Sequence, residues 1–322
     1  MDTPTENPTM MPYTFEDVLA EKDVGEIALM RDWVNLVLFE ADTNPRKFCG
    51  NKTLYYYQFG PLLRCRRDSK KYKTLKEVFD DPVEKEKLWR ETIQRNRRDK
   101  DPLCSATDVY EAHRINRGSI VFFKSSTAKF IYKKYNATSV LDFTAGWGGR
   151  LLGAMSMGIK YTGIDTNLTL KDGYDRMIDD VIKRNKSIKN PSLHFYHLTK
   201  EDYTMIWDSC LNVDLSQIEY DCILTSPPYV NLELYEGMDP FESDHDFYHN
   251  FLMPMMYRSY EYLKDDGAMC INISPRMYKK LMSYGVFRLP DEVVDLRQQL
   301  GQQFKTKSQD EIYVWIKNQP TL

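Results

Sequence analysis

Four residues, Ser226-Pro227-Pro228-Tyr229, close the apolar run Cys222-Ile223-Leu224-Thr225. A strand that runs into two prolines gives up backbone donors, so it ends there or lies at an edge. The segment is rigid, keeps its carbonyls outward and holds a hydroxyl and an aromatic ring in fixed places. That set suits the exocyclic amino group of a flipped nucleobase. Acceptors meet the amino hydrogens and a flat ring stacks on the base. For the tetrapeptide alone, an ordinary Pro-Pro turn at a strand end is the plainer alternative.

A second group lies upstream. The apolar Ser139-Val140-Leu141 leads into Asp142-Phe143-Thr144-Ala145-Gly146-Trp147-Gly148-Gly149-Arg150, then into Leu151-Leu152-Gly153-Ala154-Met155. This reads as strand, tight loop and helix, with glycines that let backbone approach a ligand and a helix start that offers free N–H groups. A second strand, Tyr161-Thr162-Gly163-Ile164-Asp165, ends in an acid. A carboxylate at that tip can accept both ribose hydroxyls of a nucleoside cofactor. Its plainer role is a helix N-cap.

The run Leu193-His194-Phe195-Tyr196-His197-Leu198 predicts a third strand, followed by Glu201 and Asp202. Asp202 is then placed to accept from an adenine amino group, with Glu201 second and a helix cap the plainer role for either. The fourth strand is the one that reaches Ser226. Ligands of open α/β sheets gather at the carboxyl ends of strands, so the glycines, the two acids and the Ser-Pro-Pro-Tyr turn are expected to converge.

With these residues in place, the chain resembles the S-adenosylmethionine-dependent amino-methyltransferases that act on cytosine N4 or adenine N6 in DNA. Asp142 to Gly149 is similar to their glycine-rich cofactor motif, with Phe143 where proline is common. Ser226 to Tyr229 is similar to their catalytic motif. Lys124-Ser125-Ser126-Thr127-Ala128-Lys129-Phe130 resembles the segment that closes over the methionine end of the cofactor. The order, closing segment, cofactor motif and then catalytic motif, resembles the gamma arrangement of the family and spans about residues 110 to 317. A looser likeness is to orphan methylases of phages and large viruses.

The resemblance implies S-adenosyl-L-methionine as cofactor, held by Lys124, Ser125, Ser126, Thr127, Asp142, Thr144, Ala145, Gly146, Gly148, Asp165 and Asp202. It implies catalysis by Ser226, Pro227, Pro228 and Tyr229. Serine in the first motif position tilts the target towards cytosine N4, with adenine N6 as the alternative. The expected fold is a three-layer α/β/α, Rossmann-like class I methyltransferase with a mostly parallel seven-stranded sheet. Helical apolar spacing over Ser243 to Leu263, a strand at Ala268 to Ile273 and a last strand at Glu311 to Ile316 agree with it. The family would place that last strand antiparallel.

Residues 110–322 form the expected catalytic domain and residues 1–109 a mainly helical extension. At 322 residues and 42% hydrophobic, the chain can bury one large core plus a smaller appendage. No apolar run approaches a membrane span, the acidic N-terminus resembles no secretory signal, and a cytoplasmic location is expected. The six cysteines are scattered without metal spacing and are expected to be reduced.

Net charge is −3, yet residues 61 to 100 carry an excess of about six positive charges. Arg64, Arg66, Arg67, Lys70, Lys71, Arg97 and Arg98, with Tyr55-Tyr56-Tyr57, Phe59 and Tyr72 nearby, suit phosphate contact and duplex distortion. Duplex DNA is therefore the expected partner and the extension the expected reader of the target, assisted by the loop Asn231 to Phe241. A solvated helix face with internal ion pairs is the alternative. His245 and His249 stand one helical turn apart, but no third ligand is evident and no metal is expected. Three other activities fit parts of the pattern: an RNA or protein-amide methyltransferase, a non-catalytic binding subunit, and a nicotinamide-dependent oxidoreductase that would leave the Ser-Pro-Pro-Tyr turn without a role.

Overall fold

A computed structural model describes residues 9–40, 49–66, 72–99, 103–118, 120–189, 196–228, 241–285, 287–294 and 311–318, with the backbone alone for 97–99. Its centre is a sheet of β1 (Ser139–Asp142), β2 (Lys160–Asp165), β3 (Tyr203–Trp207), β4 (Cys222–Thr225), β5 (Ala268–Ile273), β6 (Glu292–Val294) and β7 (Glu311–Ile316). The spatial order is β3-β2-β1-β4-β5-β7-β6. Strands β1 to β5 run parallel, and β7 is antiparallel to both its neighbours. The expected mostly parallel seven-stranded sheet is present, including the antiparallel last strand.

Successive side chains of a strand point to opposite faces, and both faces here are covered. Leu141, Ile223, Met269 and Trp315 belong to one apolar cluster. Val140, Cys222, Cys270 and Val314 belong to the other. The first face is covered by α11 (Met253–Tyr262) and α12 (Pro275–Ser283), through Met255, Met256 and Leu281. Ahead of α11, a short helix α10 (Asp244–Asp246) runs into a π-helical stretch, Phe247–Leu252, so the helix expected over Ser243 to Leu263 is present with one widened segment. The second face meets α7 (Ser125–Lys134), α8 (Gly149–Met155) and α9 (Lys171–Ser187).

The N-terminal part supplies α1 (Phe15–Ala20), α2 (Glu26–Val37), α3 (Asn51–Leu62), α4 (Leu75–Asp80), α5 (Pro82–Asp99) and α6 (Ala106–Arg117). Capping boxes start three of them: Thr14 with Asp17, Thr74 with Glu77, and Ser105 with Asp108. Each such cap stabilises its helix by about 1 kcal/mol. These helices do not keep a core apart. Trp33, Leu54, Leu88 and Trp89 share one cluster with α7, α8, α9 and the sheet. Polar ties reinforce the junction: Trp33 Nε1 donates to Asn185 Oδ1 at 3.3 Å, and Arg184 Nη1 donates to the Tyr57 hydroxyl at 3.0 Å. Among the described residues, no helix is long and apolar enough to cross a membrane. All six cysteines are buried and no disulfide joins them.

Candidate active site

The glycine loop is held from behind by a buried charge. Asp142 Oδ2 accepts from Arg150 Nε at 2.5 Å and from the Tyr161 hydroxyl at 2.6 Å. Arg150 Nη2 also donates to the Thr144 carbonyl, and the Tyr174 hydroxyl donates to the Ala145 and Gly146 carbonyls. Both Asp142 and Arg150 are buried, and the carboxylate raises the affinity of the guanidinium for its proton against the opposing effect of burial. Removing either partner alone would strand a buried charge, at a cost of about 3–5 kcal/mol. Asp142 thus supports the loop from behind, with Oδ2 engaged by Arg150 and Tyr161 and Oδ1 near the Thr144 N–H at 3.4 Å.

Two glycines are required by geometry. Gly148 has φ +86° and sits at the start of α8, a conformation costly for a residue with a Cβ. At Gly149 an added Cβ would lie 1.8 Å from the Phe123 carbonyl oxygen. Only a glycine there lets the segment ahead of α7 lie directly on the loop. The resemblance-based closing segment is therefore beside the glycines, with Phe122 against Trp147 at 5.2 Å between ring centroids. At the first turn of α7, Ser125 is fully buried and its Oγ has no hydrogen-bond partner among the described residues.

At the tip of β2, Asp165 Oδ2 accepts from the Gly146 N–H at 2.7 Å and Oδ1 from the Asn167 N–H at 2.9 Å. The helix-capping role falls to Asn167, whose side chain accepts from the Thr169 N–H. Burial pushes the Asp165 carboxyl up to about 6, against the lowering effect of those two N–H groups. A carboxylate has about four acceptor positions, so two remain for donors from a ligand.

The Ser226 turn stands next to this loop. Val140 pairs with Cys222 and Leu141 with Ile223, which sets the tips of β1 and β4 side by side. Thr144 Oγ1 and Thr225 Oγ1 are 2.6 Å apart in a hydrogen bond. The glycine loop and the Ser-Pro-Pro turn are thus on one edge of the sheet, in contact. Ser226 is half-buried, and its hydroxyl faces the Asn272 Oδ1 at 3.3 Å and the Asn272 carbonyl at 3.4 Å. Asn272 lies on β5, and its part was not read from the sequence.

The acid of the third strand is a correction. The described residues 196–199 are not in a strand, and β3 begins at Tyr203, opposite Tyr161 at the start of β2. Asp202 lies in a 3₁₀ turn just before β3, accepting from Thr199 Oγ1 at 2.7 Å. That is the amino edge of the sheet, away from the glycine loop, so Asp202 cannot meet a ligand there. Trp207 pairs with Asp165, and the exposed Asp208 follows at the carboxyl edge. An apolar run ending in an acid, Tyr203 to Asp208, was the usable signal.

The basic stretch also reads differently in space. Arg66 pairs with Glu77 at 3.6 Å, Lys73 with Asp81 at 2.6 Å and Arg90 with Glu86 at 3.6 Å. Tyr57 and Phe59 are buried, and Tyr55 packs on Phe122. Arg64 is exposed, with its guanidinium 5.5 Å from the Phe15 ring centroid. Tyr229, Arg67, Lys70, Lys71 and the loop from Asn231 up to Phe241 lie outside the described residues, as do the side chains of Arg97 and Arg98. His245 and His249 stack at 4.1 Å, and among the described residues no group of three metal-type ligands forms.

Strand order, the single reversed strand beside the edge and the polar groups at the carboxyl ends define a Rossmann-like class I methyltransferase fold. Residues 220–322, from just ahead of β4 through β7, match the family model for N6 and N4 methyltransferases, described as DNA methylase. Fold and matched segment both point to methyl transfer, the match covering residues 220–322. No curated protein matches it. Solved structures similar to it include an rRNA methylase from Streptococcus thermophilus, 10% identical over 62% of this chain and 100% of that one, with a TM-score of 0.39. An RNA methyltransferase from Salinibacter ruber in complex with S-adenosyl-L-homocysteine is 12% identical over 63% of this chain and 97% of that one, with a TM-score of 0.36. At such scores the likeness extends no further than the fold.

Proposed function

We propose that the protein transfers a methyl group from S-adenosylmethionine to the exocyclic amino group of a flipped base in DNA, cytosine N4 ahead of adenine N6. The observation that carries this reading is the Thr144–Thr225 hydrogen bond, which puts the glycine loop and Ser226 within the span of one nucleoside. Residues 220–322 supply the support for DNA as the substrate, through their match to the DNA methylase family.

The residues present fit the cofactor. Asp165 keeps acceptor capacity for ribose hydroxyls, and Asp208, next after Trp207 on the neighbouring strand, is the proposed acceptor for the adenine amino group. Ser125, Ser126 and Thr127 open α7, where N–H groups and hydroxyls suit a carboxylate. When bound, S-adenosylmethionine supplies an electrophilic methyl group on a sulfonium.

An exocyclic amine is a poor nucleophile because its lone pair is delocalised into the ring. In this reading the Ser226 hydroxyl oxygen and the Pro227 carbonyl accept its two hydrogens, favour a pyramidal nitrogen and so free the lone pair. Tyr229 stacks on the base. The step needs positioning more than a strong base. Residues 1–109 are proposed to contact the duplex, although the ion pairs across α4 and α5 leave less unpaired charge than the sequence count implies.

The test is to incubate the protein with S-adenosylmethionine and DNA, digest to nucleosides and identify the product by mass. N4-methyldeoxycytidine is expected. N6-methyldeoxyadenosine would move the target, methylation of RNA alone would move the substrate, and no methylated nucleoside would overturn the reading.

A further inference from the structure

The hydroxyl of a serine can donate or accept, and a site that must accept from an amine needs that choice made in advance. Ser226 faces two acceptors of the same residue, the Asn272 Oδ1 at 3.3 Å and the Asn272 carbonyl oxygen at 3.4 Å. The amide of Asn272 is itself oriented. Its Nδ2 donates to the Glu311 carbonyl on β7 at 3.2 Å, which leaves Oδ1 for Ser226. Asn272 is buried at 6% exposure, on β5 between β4 and β7, so water does not compete freely for the amide.

We propose that Asn272 is a positioning residue that fixes the hydrogen-bond polarity of Ser226, and through it the selectivity of the site for amino-bearing bases. The chain runs Glu311 carbonyl, Asn272 amide, Ser226 hydroxyl, substrate amine, with every donor pointing towards β7. Ser226 spends its only hydrogen on Asn272, and its lone pairs face outward as acceptors. A base with a carbonyl in place of the amino group would then meet lone pair against lone pair. An unpaired polar contact of that kind is worth about tenfold or more. An aspartate in the position of Ser226 would need no such partner, because a carboxylate only accepts. The serine is what gives Asn272 a task.

This inference rests on the proposed reading of Ser226 as the amine acceptor, and two measurements keep the two apart. The first is competition binding in the presence of S-adenosylhomocysteine, comparing adenosine with inosine and cytidine with uridine. The wild type is expected to favour the amino member of at least one pair by about tenfold. Asn272→Leu, similar in volume and apolar, removes the Oδ1 acceptor, leaves the main-chain carbonyl at 3.4 Å, and is expected to lower that ratio several-fold. Asn272→Asp keeps an oxygen acceptor towards Ser226 in either protonation state and is expected to recover most of the preference. A role in packing alone predicts the reverse order, because leucine fills the buried site without placing a carboxyl group against the Glu311 carbonyl.

The second measurement is methyl transfer. Asn272→Leu should lower kcat about five- to tenfold with the KM for S-adenosylmethionine unchanged, and Asn272→Asp should restore most of it. Asn272→Ala serves in place of Leu if that variant does not fold. Equal binding of both members of each pair by the wild type, or a leucine variant as selective as the wild type, would overturn the inference. Absence of methyl transfer by the wild type would count against the proposed function, while the binding ratios would still decide the role of Asn272.

Discussion

The carboxyl edge of the sheet and the basic surface around α4 and α5 handle their charged groups differently. At the edge, Asp165 and Ser226 are half-buried and keep hydrogen-bonding capacity that the described residues do not fill. Around α4 and α5, Lys73 ahead of α4 pairs with Asp81, Arg90 on α5 with Glu86 and Arg66 with Glu77 on α4. Keeping a buried acceptor partly unfilled costs stability, and a ligand that fills it regains that cost on binding. Exposed charges that have found partners contribute little either way. The difference teaches that a local charge count does not give the charge left unpaired, because neighbouring carboxylates take part of it.

The largest expected effect tests whether the edge is built by backbone proximity. Gly149→Ala should cost about 3 kcal/mol of stability in urea unfolding, because its Cβ has no room beside the Phe123 carbonyl. An unchanged midpoint would mean that the segment ahead of α7 does not lie on the loop.

The next pair divides the edge into its two halves. Asp165→Ala should weaken S-adenosylmethionine binding roughly a hundredfold in calorimetry, the worth of two lost charge-assisted hydrogen bonds. Ser226→Ala should slow turnover about ten- to a hundredfold with cofactor affinity intact. If both variants behaved alike, the edge would be one site without the division drawn here.

A smaller effect follows from the Asp165 carboxyl, which burial pushes up to about 6 from 3.8. The folded chain holds this proton more tightly than the unfolded one. Ionisation of Asp165 therefore lowers folding stability as pH rises through the window from about 4 to 6, with no further change above it. Cofactor binding runs the other way, since only the carboxylate accepts from two hydroxyls. Affinity should fall towards about tenfold per pH unit below 6 and level off above it. Asp165→Asn should abolish that dependence.

The smallest effect belongs to the other region. Arg64→Glu should weaken binding of duplex DNA less than about threefold at physiological salt, in a fluorescence titration. A loss beyond tenfold, with a shallower salt dependence, would make Arg64 a main phosphate contact of the N-terminal helices.

Much of this edge was legible in the sequence because its signals are local and tied to strand ends. Glycines after Leu141, an acid after Ile164 and two prolines after Thr225 each mark a strand tip, and parallel topology brings strand tips together. The third acid was misplaced because Leu193 to Leu198, of which 193–195 lie outside the described residues, offered an apolar run ahead of Tyr203 to Trp207. Register with β2, which no single segment contains, selects the latter. Asn272 was invisible for a similar reason: it lies within an otherwise apolar strand, and only the pairing of β4 with β5 brings it to Ser226. Strand β6, three residues long, is too short to carry a period. The aromatics of α3 read as a nucleic-acid surface from composition, yet α3 buries Tyr57 and Phe59 and packs the half-buried Tyr55 on Phe122.

The most direct measurement is a crystal structure with S-adenosylhomocysteine and a nucleoside bearing the target amino group. The account predicts the amino nitrogen roughly 2.7–3.2 Å from both Ser226 Oγ and the Pro227 carbonyl oxygen, facing the sulfur. A sulfur atom placed away from Ser226, with the ribose hydroxyls turned from Asp165, would contradict it.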